Sequence, residues 1–284
     1  MKQFYLKFTI IWSAIMLCTP VSVSGQINCQ ALFEKDSPEY HICMLLYGGA
    51  AEGKASIQGS KESQALCDSA ITLSPAFADP YYTKAIPFLK RGEFQTWKSI
   101  IDQAVKYDSI LYLGYRGGAR FMFLRDYEGT INDIEILKTK CRWDIGTIYN
   151  GEYHLEIIRA LSYKGLGDIN RAAKILENHI GSTQCPGLFD YYHLGVLYFE
   201  QDRYIDAEKV LISQNSNNEI ADAYYYLALI YKKQKNKTDY LHSIKKSYDL
   251  YMKKKYVRGN NSFMDYPDKI YLSQIESLLK ESES

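Results

Sequence analysis

The chain has 284 residues, 46% of them apolar, so a continuous core is within reach and the length could in principle fill two ordinary domains. Its 34 basic and 33 acidic side chains leave a net charge of +1, which argues against the strongly one-signed surface that nucleic acid or another polyanion selects. Tyrosine is the compositional outlier, with 26 copies against 3 tryptophans.

Residues 1–25 read as a signal peptide. Lys2 and Lys7 form a basic head, an uncharged run follows from Phe8 to Cys18, and Thr19-Pro20 leads into small residues ending at Gly25, where cleavage is expected. The run is too short to span a bilayer comfortably. Lipidation of Cys18 is the alternative, with Leu17 standing where bacterial lipoproteins have a small residue. An exported protein, periplasmic or secreted, is expected. Removal of the leader leaves five cysteines, Cys29, Cys43, Cys67, Cys141 and Cys185. In an oxidising compartment Cys29 with Cys43, or Cys43 with Cys67, are the local pairings; the plainer reading makes Cys43 and Cys67 small core residues on helices. No pair has the CxxC spacing of a redox or zinc site.

Residues 26–78 form an irregular first helical repeat. A helix is expected from Glu39 to Ala51, then a polar connection through Gly53 and Gly59, then a second helix that Pro75 stops. A more regular array spans 79–256. Its first unit opens at Asp79-Pro80, carries Ala85 and Phe88, turns at Gly92-Glu93-Phe94 and closes with Ala104. Pro87 predicts a kink, and Trp97, where a small residue belongs, predicts looser packing. The next unit has Gly118, Phe121, a turn at Arg125-Asp126-Tyr127, and Thr130 at the small position. An irregular stretch from Cys141 to Gly151 is longer than the repeat allows and reads as a loop pinned to the surface by Trp143.

The following unit contains Ala160, Tyr163, the turn Gly165-Leu166-Gly167-Asp168, Ala172 and Leu176. After it comes the best-formed copy, Tyr191-Tyr192-His193-Leu194-Gly195-Val196-Leu197-Tyr198, then Tyr204-Ile205-Asp206-Ala207 and Leu211. The last unit starts at Ala221, with Tyr224, Leu227, Ala228 and Tyr231, and has Tyr240 in place of the small residue. Residues 257–284 supply a linker and a final amphipathic helix, with Pro267 near its start and Ile270, Ile275, Leu278 and Leu279 toward one side, suited to covering the exposed end of the array.

The pattern aromatic-x-x-Leu-Gly-x-x-Tyr, followed by Ala-x-x-x-Leu, resembles the tetratricopeptide repeat, a helix-turn-helix unit of about 34 residues. Gly195 and Ala207 sit where two helices cross closely, and Leu194, Tyr198 and Leu211 fill the seam between them. The resemblance covers roughly Glu39 to Tyr256 and implies an all-α, right-handed superhelix whose first helices form an inner wall. Aligned on their small residues, the units place Tyr82, Tyr115, Ile157, Tyr192 and Tyr225 at equivalent places on that wall, with Tyr112, His154 and Phe189 beside them and Asp79 and Asp222 toward the ends.

Those tyrosines either grip a ligand or pack neighbouring first helices together. As a ligand wall they suit a protein or peptide partner, such as a component of a cell-envelope assembly, or alternatively a glycan. Nothing points to catalysis or a cofactor. The five histidines are scattered and form no HExxH pair, and the paired glycines fall at turns and crossings rather than in a phosphate loop. Ten lysines or arginines between Ile230 and Arg258 make a basic run that either meets phosphate groups or an acidic partner, or is a solvated helix face. Asn236-Lys237-Thr238 and Asn260-Asn261-Ser262 are formal glycosylation sequons.

Overall fold

The computed structural model describes residues 34–35, 37–48, 57–148, 151–258 and 266–283. The leader, Cys18, Cys29, Gly53 and the second sequon lie outside them. Among the described residues the chain is all helical, with a single isolated bridge between Thr147 and His154. Helix α1 (Pro38–Cys43) widens into a π-type turn, Met44–Gly48, and is followed by α2 (Lys61–Leu73). Five helix pairs come next. They are α3 (Asp79–Lys90) with α4 (Phe94–Tyr107), α5 (Ser109–Ala119) with α6 (Tyr127–Lys140), α7 (Leu155–Gly165) with α8 (Ile169–Ser182), α9 (Asp190–Glu200) with α10 (Tyr204–Asn217), and α11 (Ala221–Lys233) with α12 (Lys237–Met252). Helix α13 (Leu272–Glu283) closes the array against α12.

Each pair turns through one residue in the left-handed region: Gly92, Arg125, Gly167, Asp202 and Lys235. They recur at about the repeat length except between Arg125 and Gly167, where the Cys141–Gly151 loop is inserted. Asp126, Asp168 and Asn236 then cap the second helices by accepting from the N–H groups of Gly129, Arg171 and Asp239. These caps satisfy donors that a helix start leaves open.

Small side chains set the crossings. A Cβ on Gly195 would lie 2.6 Å from the Leu211 side chain, so the bare backbone of α9 is what admits α10. Ala160, Ala207 and Ala228 are fully buried at the equivalent contacts. Thr130 is tolerated in place of alanine because its hydroxyl donates to the carbonyls of Gly117 and Asp126. Trp97 is buried, and a cavity of about 210 Å³ remains beside it between α3, α4 and α5, which matches the looser packing expected there. Substituting Gly195 by alanine should overpack this seam and cost about 1–3 kcal/mol. Chemical denaturation should show it, and the pairing of Gly195→Ala with Leu211→Ala should recover part of the loss; simple additivity would argue against the contact.

Two local expectations are corrected. Helix α13 begins at Leu272 rather than at Pro267, which sits in the preceding turn. Cys43 is disulfide-bonded, as is Cys185, while Cys67 and Cys141 are free thiols, so neither a Cys43–Cys67 bond nor a plain core thiol at Cys43 stands. Burial pushes the Cys67 thiol up to about 11, so it is an inert core group.

Candidate functional site

The first helices of the pairs, α3, α5, α7, α9 and α11, stand side by side, and the residues singled out on them separate into three zones. In the N-terminal zone, Asp79 and Tyr82 lie one helical turn apart on α3, and Tyr112 and Tyr115 one turn apart on α5, so each pair shares a face. The faces meet. The ring centroids of Tyr82 and Tyr115 are 4.8 Å apart, Tyr82 and Tyr112 5.3 Å, and Tyr112 and Tyr115 5.8 Å. Tyr112 is buried and donates to Asp79 Oδ1 at 2.8 Å. Around this cluster is a cavity of about 570 Å³ whose lining is mainly apolar and aromatic, including Phe77, Ile86 and Leu111, with Asp79 and Asp108 as its carboxylates. Burial first, and then the Asp79 charge, raises the Tyr115 hydroxyl above its ordinary value, which keeps it a neutral hydrogen-bonding group.

In the middle zone the inserted loop folds inward. Trp143, expected to pin it, is 71% exposed; Ile148 and Tyr153, 1% and 2% exposed, do so instead. Ile148 seats against Gly118, where a Cβ would meet its side chain at 2.8 Å. The Tyr153 ring lies 5.5 Å from His193 and 6.4 Å from Phe189. His154 caps α7, accepting from Glu156 N–H at Nδ1, while Nε2 sits 3.0 Å from Asp144 and the ring stacks on His179 at 4.3 Å. Phe189 is half-buried at the start of α9. His154 and Phe189 are thus brought to the inserted loop rather than to the tyrosine cluster.

In the C-terminal zone the chain covers its own wall. Residues 266–270 run across α7, α9 and α11 before α13 begins. Tyr192 is fully buried and its hydroxyl donates to the Asp268 carbonyl. Asp268 is tied by its carboxylate to Lys164 Nζ at 2.5 Å and His193 Nδ1 at 2.8 Å, and Lys164 also meets Glu200 at 2.8 Å. Burial alone would raise the Asp268 carboxyl; the His193 hydrogen bond and the Lys164 ammonium outweigh it and hold it at about 2. With Asp268 ionised, His193 Nδ1 is the donor of that bond, and its Nε2 has no hydrogen-bond partner among the described residues. Asp222 accepts the backbone N–H groups of Val257 at 2.9 Å and Ile270 at 3.1 Å. Desolvation nevertheless pushes its carboxyl up to about 6. Tyr225 is half-buried, edge-on to Tyr226, within the cluster that receives α13.

The wall therefore does not present one ladder. Tyr82, Tyr112 and Tyr115 come together at a cavity, whereas Tyr192 is interior and Tyr225 belongs to the cap. Lys164, His193 and Asp268 were not singled out from sequence. No local motif marks them, because Lys164 and Asp268 meet across 104 positions. In the basic run, Lys232 pairs with Glu281 of α13 and Lys246 with Glu219 in the connection before α11, so part of it faces acidic groups of the same chain. Among the described residues no three metal-ligating side chains gather, and no helix is long and apolar enough to cross a membrane.

No family model matches the sequence, and no curated protein matches it. Solved structures match the fold. The pilF protein of Pseudomonas aeruginosa is 13% identical over 76% of this chain and 92% of its own, with a TM-score of 0.57. PilW, described as a widely conserved type IV pilus biogenesis factor, is 12% identical over 77% of this chain and 90% of its own, with a TM-score of 0.56. YrrB, described as a TPR protein with an unusual peptide-binding site, is 16% identical over 65% of this chain and 91% of its own, with a TM-score of 0.51. The fold is a tetratricopeptide-like α-solenoid. At these identities the likeness carries the architecture alone. An α-solenoid of this kind is consistent in general terms with protein binding.

Proposed function

We propose that the protein is an exported, non-catalytic scaffold that holds a protein or peptide partner at the tyrosine cluster between α3 and α5. The observation that carries this reading is the convergence of Tyr82, Tyr112 and Tyr115 on a cavity of about 570 Å³. A preformed aromatic recess loses little entropy on binding. Its apolar lining suits an aliphatic or aromatic side chain, and the Asp79 and Asp108 carboxylates with the tyrosine faces favour a basic residue beside it. Disulfides at Cys43 and Cys185 support an oxidising compartment and hence export to the periplasm or beyond.

The test is capture from an envelope extract by the full chain and by Tyr82→Ala with Tyr115→Ala. Both positions are only partly buried, so the fold should survive, which circular dichroism would verify. One protein retained by the wild type and lost, at least tenfold, by the double variant is the expected result. Equal capture by both would remove the cluster from the binding surface. A thermal shift with neutral oligosaccharides, abolished by the same double variant, would replace the peptide reading by a glycan one.

A further inference from the structure

We infer that the wall over α7, α9 and α11 is a second ligand site, specific for an acidic turn of a partner protein, and that the chain occupies it in cis with its own Tyr266–Ile270. The inference is independent of the cavity between α3 and α5, which shares no residue with it.

The path of the chain is the first argument. Helix α13 packs on α12, and packed neighbouring helices are ordinarily joined by about 2–8 residues. Here residues 253–271 separate the two helices, and the described residues 266–270 of that connection lie against α7, α9 and α11. Capping α12 does not call for that path.

The second argument is how the segment is held. Its contacts are those by which a receptor reads a peptide. A backbone carbonyl is met by the Tyr192 hydroxyl, and the Ile270 N–H is met by the Asp222 carboxylate. One acidic side chain enters a site containing Lys164 and His193. Asp268 itself takes the left-handed conformation, at φ 58°, which presents its carbonyl and carboxylate to these groups together. Apolar residues of similar volume would fill such a place as stably as a buried ion cluster, so the charges favour selectivity over stability.

The third argument is complementarity. The ligand matching the site carries an aromatic residue, an aspartate two positions on in a turn, and an aliphatic residue two further, which is the spacing of Tyr266, Asp268 and Ile270. A partner presenting that turn competes with the tethered segment, so weakening the segment should strengthen capture in trans.

The experiment uses the full chain and a fluorescent peptide of the sequence of residues 264–272. Asp268→Asn removes the charge from the tethered copy while leaving Lys164 and His193 in place. This variant should bind the peptide at least tenfold more tightly than the wild type, and a peptide with asparagine at the aspartate position should not bind. No binding by a variant that retains its helical circular dichroism would overturn the proposal. Hydrogen exchange of the wild type decides the matter should the variant fail to fold. The Ile270 amide should exchange through a local opening, insensitive to low denaturant and faster than the amides of α9. Exchange of Ile270 only with global unfolding would make the segment fixed core and end the proposal.

Discussion

Replacing Tyr192 by alanine should lower the stability of the fold by about 3–5 kcal/mol, the range for deleting a fully buried aromatic side chain. Its ring packs edge-on to Tyr226 at 6.0 Å and lies 5.4 Å from His193, and its hydroxyl anchors the Asp268 carbonyl. The substitution therefore opens a cavity and orphans an acceptor in one step. Tyr115→Ala, at a partly buried position facing a cavity that already exists, should cost markedly less. Urea denaturation of the two variants measures the contrast. Similar midpoints would mean that the segment over Tyr192 is not seated as described, and that Tyr192 and Tyr115 are equivalent members of one exposed wall after all.

The second large effect is a pH dependence carried by Asp222. Its carboxyl stands at about 6 in the folded chain, against an ordinary 3.8, because burial outweighs the amide donors around it. A folded value above the unfolded one means that the native state binds more protons in the interval between them. Stability from this group is therefore greatest below about pH 4 and is lost as pH rises through 6, by about 3 kcal/mol in all. Asp268 runs the other way. Held at about 2, it contributes stability that is present above about pH 4 and is lost as pH falls through 2. Asp222→Asn should remove the first of these slopes. The difference in unfolding free energy between wild type and variant should change across pH 4–6 and be level outside it; a difference constant with pH would show that Asp222 is not penalised as an anion.

The helix pairs were legible because their causes are local. Gly195, Ala160, Ala207 and Ala228 mark crossings within a repeat, and the capping side chains Asp126, Asp168 and Asn236 sit at fixed offsets from the turns. The departures at Trp97 and Thr130 were also readable, since each alters a contact between adjacent helices. The arrangement of the tyrosines was legible only in part. Equivalent positions along the repeats placed Tyr82, Tyr112 and Tyr115 correctly with respect to one another. What separates Tyr115 from Tyr192 is not their helices but what lies over them, and that is set by residues 266–270, 76 positions away in the case of the Tyr192 bond. Periodicity carries no information at that range. The same holds for the inserted loop, where the large and conspicuous Trp143 was the natural anchor to choose and the smaller Ile148 is the one that meets a glycine.

The bridge from Asp268 back to Lys164 has a mechanical consequence. A stack of hairpins touching only its neighbours can lose them one at a time from either end. While residues 266–270 are seated, closing a loop of about a hundred residues couples the last three pairs; once they lift, those pairs regain the freedom to unravel singly that the pairs from α3 to α6 have throughout. The protein is thus a chain of links at one end and a clasp at the other, and the cavity of the tyrosines lies among the links.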